Sequence, residues 1–577
     1  MPPRLVQLGL AGLTAMAATA AVAQAPPLPM PYDPPVVAPP PQIRSAPAIA
    51  AQIPPVSRPP MALGAPGGTT DHSRLPALQR SFASGPEVTA ACLSCHTEAS
   101  HQVMRSIHWT WTMDLPQTGQ RLGKAHEVNA FCGNVAVNET RCTSCHAGYG
   151  WTDVRQPNRM GPEKVDCLAC HDRSGQYAKL DNKAGLPALA PLKAGAKTIT
   201  GADAKPVDLT RAAQSVGDPG RDNCGNCHFY GGGGDNVKHG DLSSALIDPP
   251  PSVDVHMSRK GANMTCAACH VSDSHVLAGS RYDTDVVPDD HPAPGAAHGE
   301  AACASCHGET PHARTTVIGL KLNDHTDTVA CQSCHIPAFA RGGVATKTEW
   351  DWSTAGRLKD GKPYSEEGFT QSNGKHLHSY LSTKGSFEWA ENVVPTYAWF
   401  NGTVRYTLPD ETIDPSGVVP VNTIEGAPGD PKARIFPFKV MHGSQAYDSG
   451  LNRLVYNHVY GPETKTALWT NFDWDKSIRA AMDYVNLPYS GQHGFVRTTM
   501  HWPVTHMVAP ADEALRCTDC HAPQARLAGI AGVYMPAATA EPARLAGLAL
   551  LVMTLAGVLV HGAIRLTRRN GKGGHHG

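Results

Sequence analysis

The sequence predicts a mainly α-helical chain with long loops, little regular secondary structure and one C-terminal transmembrane helix. Three observations lead to this fold class. The 577 residues include 55 Gly and 49 Pro but only 6% aromatic residues, which is typical of a loop-rich chain with few large side chains for a core. A five-residue motif occurs eight times, and an apolar run lies near the C-terminus. The net charge of −1 gives no reason to expect nucleic-acid binding.

The repeated motif is Cys-x-x-Cys-His, the attachment signature of c-type haem. Its two thiols bind the porphyrin covalently, and its histidine becomes the proximal ligand of the iron. The paired cysteines are Cys92 and Cys95, Cys142 and Cys145, Cys167 and Cys170, Cys224 and Cys227, Cys266 and Cys269, Cys303 and Cys306, Cys331 and Cys334, and Cys517 and Cys520. The proximal histidines are His96, His146, His171, His228, His270, His307, His335 and His521. Zinc sites or redox cysteine pairs would not place a histidine after every second cysteine, so we predict eight covalently bound haem c groups that fill the core.

The spacing of the motifs divides the chain into segments. Seven motifs lie close together, whereas the eighth follows a long stretch that holds most of the other aromatic residues. The predicted segments are a signal peptide at 1–25, a disordered Pro/Ala-rich tether at 26–84, a seven-haem region at 85–340, a haem-poor aromatic-rich insertion at 341–510, the eighth haem and a linker at 511–540, a transmembrane helix at 545–564 and a basic cytoplasmic tail at 565–577. Within the insertion, the pattern at 403–408 predicts a short strand and the pattern at 474–484 predicts a helix.

The two ends of the chain predict its location. Residues 1–25 combine Arg4, an apolar stretch and small residues at a cleavage point, as signal peptides do. The apolar run 545–564 has the length of a membrane span. Arg565 and Arg568 follow it, so the positive-inside rule places that end in the cytoplasm. We therefore expect a haem domain on the periplasmic face of the bacterial inner membrane, held by a single C-terminal anchor.

Histidines outside the motifs are the candidates for the second axial ligand of each iron. The chain has 29 histidines, so 21 remain after the eight proximal ligands. Several of them lie close to a haem motif in the sequence, which favours a role as ligands over a role as surface residues. The predicted distal ligands are His108, His239, His256, His275, His312, His325 and His506.

Several stretches of the chain resemble one family of multihaem proteins. They are 129–132 with 141–151, the Gly-rich segment 227–242, 331–337 and 505–510. Together with the order of the haem motifs, they make residues 85–530 similar to the octahaem tetrathionate reductase family of c-type cytochromes. The resemblance implies that a lysine is the distal ligand of the second haem, at the position of Lys238. It also implies a nearby cysteine, aspartate and second lysine, which correspond to Cys132, Asp235 and Lys321.

A lysine ligand is chemically reasonable at this position. The amine must lose its proton before it can bind iron, and a nearby ferric centre lowers the pKa of such an amine. Asp235 is placed to orient the amine, and the glycines at 231–234 let the backbone approach a porphyrin. Simpler interpretations stay open, namely a solvated Lys238 in a loop and Cys132 as an inert buried thiol.

Three functions agree with these features. The first is the reduction of a small sulfur oxyanion, tetrathionate, to thiosulfate, in which Cys132 attacks the S–S bond and the lysines stabilise negative charge. The second is nitrite or hydroxylamine chemistry, which is disfavoured because all eight motifs end in His and none in Lys. The third is a non-catalytic electron-transfer conduit. We predict the first, with a membrane quinol oxidase or a small periplasmic cytochrome as the electron donor.

Overall fold

The structure is a computed structural model that describes residues 70–128, 134–156, 160–284, 286, 301–461, 465–522, 524–533, 535 and 541–570. All of them belong to one compact unit, residues 56–577. The predicted signal peptide, most of the predicted tether, Cys132 and the end of the predicted basic tail lie outside the described residues.

Helices in the haem region are short, because a Cys-x-x-Cys-His motif occupies little more than one helical turn. The α-helices of the described residues are α1 Gly85–Leu93, α2 Ala99–Arg105, α3 Ile107–Thr110, α4 Glu139–Cys142, α5 Cys167–His171, α6 Leu209–Gln214, α7 Arg221–His228, α8 Cys303–His307, α9 Val317–His325, α10 Cys331–His335, α11 Leu468–Asn471, α12 Trp474–Val485, α13 Cys517–His521 and α14 Glu541–Asn570. The fifth haem motif begins instead with a single 3₁₀ turn, Cys266–Ala268.

Strands are more extensive than the sequence predicts. They are β1 Met113–Leu115, β2 Gln120–Leu122, β3 Ser272–Asp273, β4 Val276–Leu277, β5 Thr346–Asp351, β6 Ser365–Thr370, β7 His376–Leu381, β8 Gly385–Ala390, β9 Thr396–Phe400, β10 Val404–Tyr406, β11 Val419–Pro420, β12 Asn422–Ile424, β13 Arg434–Asp448, β14 Arg453–Leu454 and β15 His493–Pro503. Nine of these strands form one sheet in the order β11-β15-β13-β5-β8-β7-β6, with β9 and β14 paired to β13.

This sheet corrects the predicted mainly α-helical class. The prediction rested on composition averaged over the whole chain, whereas aromatic residues concentrate in the insertion, where they favour strands. The long strand β13 pairs with β15 from Phe438 opposite Pro503 to Asp448 opposite His493. Both faces of β13 are largely buried, and Phe436 and Phe438 pack in one apolar cluster with Phe400. The insertion therefore supplies most of a hydrophobic core that it shares with residues of the haem region, such as Met113 and Leu122.

The predicted disordered tether, 26–84, includes residues that are ordered in the structure. Residues 72–74 and 76–78 form two 3₁₀ turns, and the Asp71 side chain accepts a hydrogen bond from Ser73 N at the start of the first turn. Leu78 is buried in a cluster with Val88 and Leu209. The burial of this leucine stabilises an ordered segment directly before α1.

Two predicted helices are confirmed. Helix α12 begins after Asp473, whose side chain accepts a hydrogen bond from Lys476 N, and ends at Asn486 in the left-handed conformation. Helix α14 includes an apolar span, Leu545–Arg568, that is long enough to cross a membrane by its length and composition. Its apolar side chains are exposed on the folded chain. It is thus a candidate membrane anchor.

Candidate functional site

Seven of the eight motif histidines face a second histidine ring across a gap of nearly constant width. The ring centroids lie 6.0–6.4 Å apart. The pairs are His96 with His72, His171 with His275, His228 with His108, His270 with His506, His307 with His256, His335 with His312, and His521 with His325. A metal–nitrogen bond is about 2 Å long, so two imidazoles on one metal have their centroids roughly 6 Å apart. These pairs therefore fit bis-histidine haem irons.

Six of the seven predicted distal histidines take part in these pairs, and His239 does not. Its ring lies edge to face on Trp502 with the centroids 4.9 Å apart. The histidine opposite the first motif is instead His72, which lies in the stretch that the sequence assigned to the tether. An ordered 3₁₀ turn around His72 brings it to His96. Asp71, which caps this turn, was the sequence feature that could have predicted it.

Thiols of different motifs lie close together. Cys92 and Cys167, Cys145 and Cys227, Cys224 and Cys266, and Cys303 and Cys331 are near enough for one thiol of each pair to shift the pKa of the other. The attachment points of these motifs thus lie side by side. The fourth motif lies beside both the second and the fifth, so it links the second motif to the fifth.

His146 of the second motif has different surroundings from the other seven. Its buried ring lies among three indoles, with centroid distances of 4.9 Å to Trp109, 5.4 Å to Trp111 and 4.1 Å to Trp151. Its Nε2 lies 2.7 Å from the carbonyl oxygen of Trp109. Its Nδ1 is buried without a hydrogen-bond partner among the described residues. Burial lowers the pKa of this histidine to about 3, and the resulting neutral imidazole is the form that binds a metal.

A buried ion pair fixes the backbone of the second motif. The Nζ atom of Lys179 donates to the carbonyl of His146 and lies 3.1 Å from Oδ2 of Asp166. The hydroxyls of Tyr149 and Tyr177 each donate to this carboxylate at 2.7 Å. Because every partner is buried, the position of His146 is strongly constrained.

Lys238 lies in a tightly held loop after α7. Asn236 adopts a left-handed conformation with φ of 58°, and its side-chain amide donates to the carbonyl of Val344 at 2.9 Å. The Nζ atom of Lys439 donates to the carbonyls of Val237 and Lys238, both at 2.9 Å. A Cβ atom on Gly232 would lie 2.9 Å from the side chain of Val237. The glycine run thus permits the loop to fold against itself.

The amine of Lys238 is almost completely buried. The residue is 5% exposed, and Nζ lies 5.0 Å from the ring centroid of Trp502. Burial lowers the pKa of Lys238 well below its usual value, and the positive charges of Arg281 and Lys124 lower it further. Lys238 is also close enough to Cys145 of the second motif to lower the pKa of that thiol, after the larger effect of the Cys227 thiol. A neutral amine beside the second motif is the form that can coordinate a metal.

Arg281 and Glu127 are neighbours of Lys238 that sequence reasoning missed. The Nη2 atom of Arg281 donates to both carboxylate oxygens of Glu127, at 2.8 and 2.7 Å. Its Cζ atom lies 4.9 Å from the ring centroid of Trp502, so this indole contacts two cationic side chains. Glu127 and Arg281 are 154 positions apart, and neither belongs to a motif, so the sequence carried no signal that would unite them.

Two of the other predicted site residues have contacts of their own. The carboxylate of Asp235 accepts hydrogen bonds from the backbone and hydroxyl of Ser244, so it stabilises the loop. Lys321 is wrong as a second site lysine, because it lies on the exposed surface of α9 with 72% of its side chain accessible and an ion pair to Asp324. Cys132 lies outside the described residues. The positive charges near Lys238 belong instead to Arg281 and Lys124.

Comparisons with known proteins find relatives among the c-type cytochromes. A family model described as bacterial cytochrome c matches residues 347–524, which span most of the large sheet and the eighth motif. The crystal structure of octahaem cytochrome c from Shewanella oneidensis is similar at 38% sequence identity and a TM-score of 0.66, with 80% of this chain and 97% of that chain covered. An uncharacterized protein of Archaeoglobus fulgidus is 28% identical over 241 residues, which are 34% of this chain and 77% of that protein.

Proposed function

Because the chain belongs to the octahaem c-type cytochromes, we propose that it reduces tetrathionate, a small sulfur oxyanion, to thiosulfate at the Lys238 site. Haem c, which c-type cytochromes bind covalently, supplies single electrons when bound. We further propose that eight such groups are attached, one at each motif. In this proposal the histidine pairs described above would hold seven of the haem groups, and His146 and Lys238 would hold the one at the second motif.

The observation that carries this proposal is the positive charge gathered around the second motif. Arg281 and Lys124 lie close enough to Lys238 to lower its pKa, and Glu127 is the acidic group paired with Arg281. The two cations suit an anionic substrate, because fixed positive charge in a buried site stabilises negative charge strongly. Lys238 would add a third cation if it took up a proton beside the bound anion.

The stoichiometry of the reaction also matches the residues. Tetrathionate, S₄O₆²⁻, accepts two electrons, its central S–S bond breaks, and two thiosulfate ions leave without uptake of a proton. This reaction requires positive charge at the site but no proton donor. Nitrite and hydroxylamine reduction both consume protons, and Glu127, the acidic side chain that faces the cluster, is engaged by Arg281. Nitrogen-oxide chemistry is therefore the second candidate.

A non-catalytic conduit is the third candidate, and the closeness of the motif thiols favours it in part. Closely spaced motifs support rapid electron transfer along the series, which a reductase also needs. The feature that a pure conduit does not explain is the second motif, whose His146 has no histidine opposite it among the described residues and which lies near the buried Lys238.

Anaerobic reoxidation of the fully reduced holoprotein tests the function. Tetrathionate, nitrite and hydroxylamine are added separately to wild type, Lys238→Ala and Lys347→Ala, and the haem absorption bands are followed. Lys347 is an equally buried lysine whose Nζ lies 3.7 Å from the ring centroid of Trp350. We expect rapid reoxidation of wild type and Lys347→Ala by tetrathionate and slow reoxidation of Lys238→Ala. Reoxidation by none of the three oxidants would leave the conduit as the better interpretation.

We also propose a location and a source of electrons. Helix α14 anchors the chain, and the haem-bearing part faces the periplasm at the bacterial inner membrane. A membrane quinol oxidase or a small periplasmic cytochrome is the proposed donor.

A further inference from the structure

One terminal nitrogen of the Arg281 guanidinium is buried without a hydrogen-bond partner among the described residues. The Nη2 atom is fully used by Glu127 and the hydroxyl of Tyr282. The Nη1 atom is buried, yet no acceptor lies within hydrogen-bonding distance among the described residues. A buried donor without an acceptor is costly, at about 1–3 kcal/mol for a typical group and more for a charged one. An acceptor other than the described residues is therefore expected there.

Other buried arginines of this chain do not share this feature. Arg221 donates from Nη1 to the carbonyl of Ile247 and from Nη2 to the side chain of Asn263, both at 2.8 Å. Arg341 donates from Nη1 to the carbonyl of Met507 at 3.2 Å and from Nη2 to Glu513 at 3.1 Å. Both are structural arginines with both terminal nitrogens satisfied. The contacts of Arg281 are equally firm, but they involve only one of its two terminal nitrogens.

The position of the unpartnered nitrogen indicates the kind of acceptor. Arg281 and Lys238 both lie about 5 Å from the same indole, that of Trp502. The Arg281 side chain keeps 19% of its surface exposed, whereas that of Glu127 keeps 1%, so solvent reaches the arginine side of the pair although Nη1 itself is buried. A guanidinium edge with an unused N–H is a receptor for an oxyanion.

We propose that Arg281 binds a sulfonate group of the substrate through Nη1, while Glu127 holds the guanidinium plane in the orientation that this contact requires. The choice of sulfur oxyanion rests on the function proposed above. In this arrangement Arg281 binds one end of the anion and leaves its central S–S bond uncovered. Arg281 therefore determines affinity for the anion, and Lys238 would be the residue that holds the second haem.

The test measures binding and turnover separately. Dithionate, an unreactive dianion made of two linked sulfonate groups, is titrated calorimetrically into the oxidised holoprotein. The proteins compared are wild type, Arg281→Met, Arg281→Lys and Arg341→Met. A charge-assisted hydrogen bond corresponds to about 10- to 100-fold in affinity. We expect a loss of that size in Arg281→Met, with KM for tetrathionate rising by a similar factor and kcat changing less. Arg341→Met should bind dithionate like wild type.

Each possible result either supports or overturns the proposed anion site. Unchanged dithionate affinity and unchanged KM in Arg281→Met would overturn the proposal and show that Nη1 serves a water molecule or a haem propionate. If Arg281→Met fails to assemble, Arg281→Lys keeps a cation for Glu127 but lacks the second nitrogen, and wild-type affinity in that variant overturns the proposal equally. Dithionate binding that depends on Arg281, without any reoxidation by tetrathionate, would preserve the anion site and refute the reductase. Absence of dithionate binding to wild type would refute the anion site.

Discussion

Replacement of Lys439 by methionine should release the loop that positions Lys238. Lys439 lies on β13 opposite Trp502 of β15, so the sheet holds it directly below the loop. Its Nζ donates to the carbonyls of Val237 and Lys238 at 2.9 Å and to Oγ1 of Thr346 at 2.6 Å. Methionine has nearly the same length but no donor, so the backbone of Lys238 loses its anchor while the volume stays filled.

The size of the effect follows from these contacts. Two buried carbonyls lose their donor, at about 1–3 kcal/mol each, which sums to about 2–6 kcal/mol. Burial lowers the pKa of Lys439 well below its usual value, although Asp241 opposes the shift, so removal of the amine recovers part of this cost. We therefore expect a loss of about 2–3 kcal/mol in the free energy of unfolding. A displacement of roughly 1 Å at Lys238 is enough to lower turnover about 100-fold.

Two assays and one control check this prediction. Denaturant unfolding of the holoprotein measures stability, and reoxidation by tetrathionate measures turnover. Lys347→Met is the matched control, since Lys347 is an equally buried lysine on the adjacent strand β5 with its Nζ among aromatic rings. The control should lose stability but keep its turnover. Wild-type turnover in Lys439→Met would refute the view that this amine positions Lys238.

Two further predictions concern other groups. In His72→Ala, the iron bound by His96 loses its opposite ring, so the reduced protein should gain one haem that binds carbon monoxide, seen in the absorption difference spectrum. His239→Ala should not gain such a haem. If His72→Ala also gains no haem that binds carbon monoxide, His72 is not a ligand. Burial raises the pKa of Glu139 from 4.5 to about 7. Between these pH values the folded chain holds a proton that the unfolded chain releases. The free energy of unfolding therefore falls by up to about 3 kcal/mol as the pH rises through this window. Glu139→Gln keeps an acceptor for the Tyr484 hydroxyl, which donates at 2.9 Å, and should flatten the curve of unfolding free energy against pH; an unchanged slope would assign the pH dependence to other groups.

Covalent attachment sites were readable because their chemistry is local. Two thiols and a histidine within five residues are sufficient to hold a porphyrin, so the sixteen motif cysteines and the eight proximal histidines needed no knowledge of the fold. The apolar run that became α14 was equally readable, since the length and hydropathy of one helix decide whether it can span a membrane. The Gly-rich segment around Lys238 was found by resemblance, and the structure places its amine beside the second motif.

The partners of those local features depended on contacts between distant parts of the chain. His108 faces His228, and His325 faces His521, across separations that no sequence spacing encodes. Lys321 had the right residue type but lies on an exposed helix face, whereas Arg281 and Glu127 meet beside Lys238 from segments 154 positions apart. The sheet that carries Lys439 and Trp502 was hidden by the average composition of a Gly- and Pro-rich chain. Folding alone brings these groups together, because they belong to separate elements whose contacts depend on distances of a few ångströms.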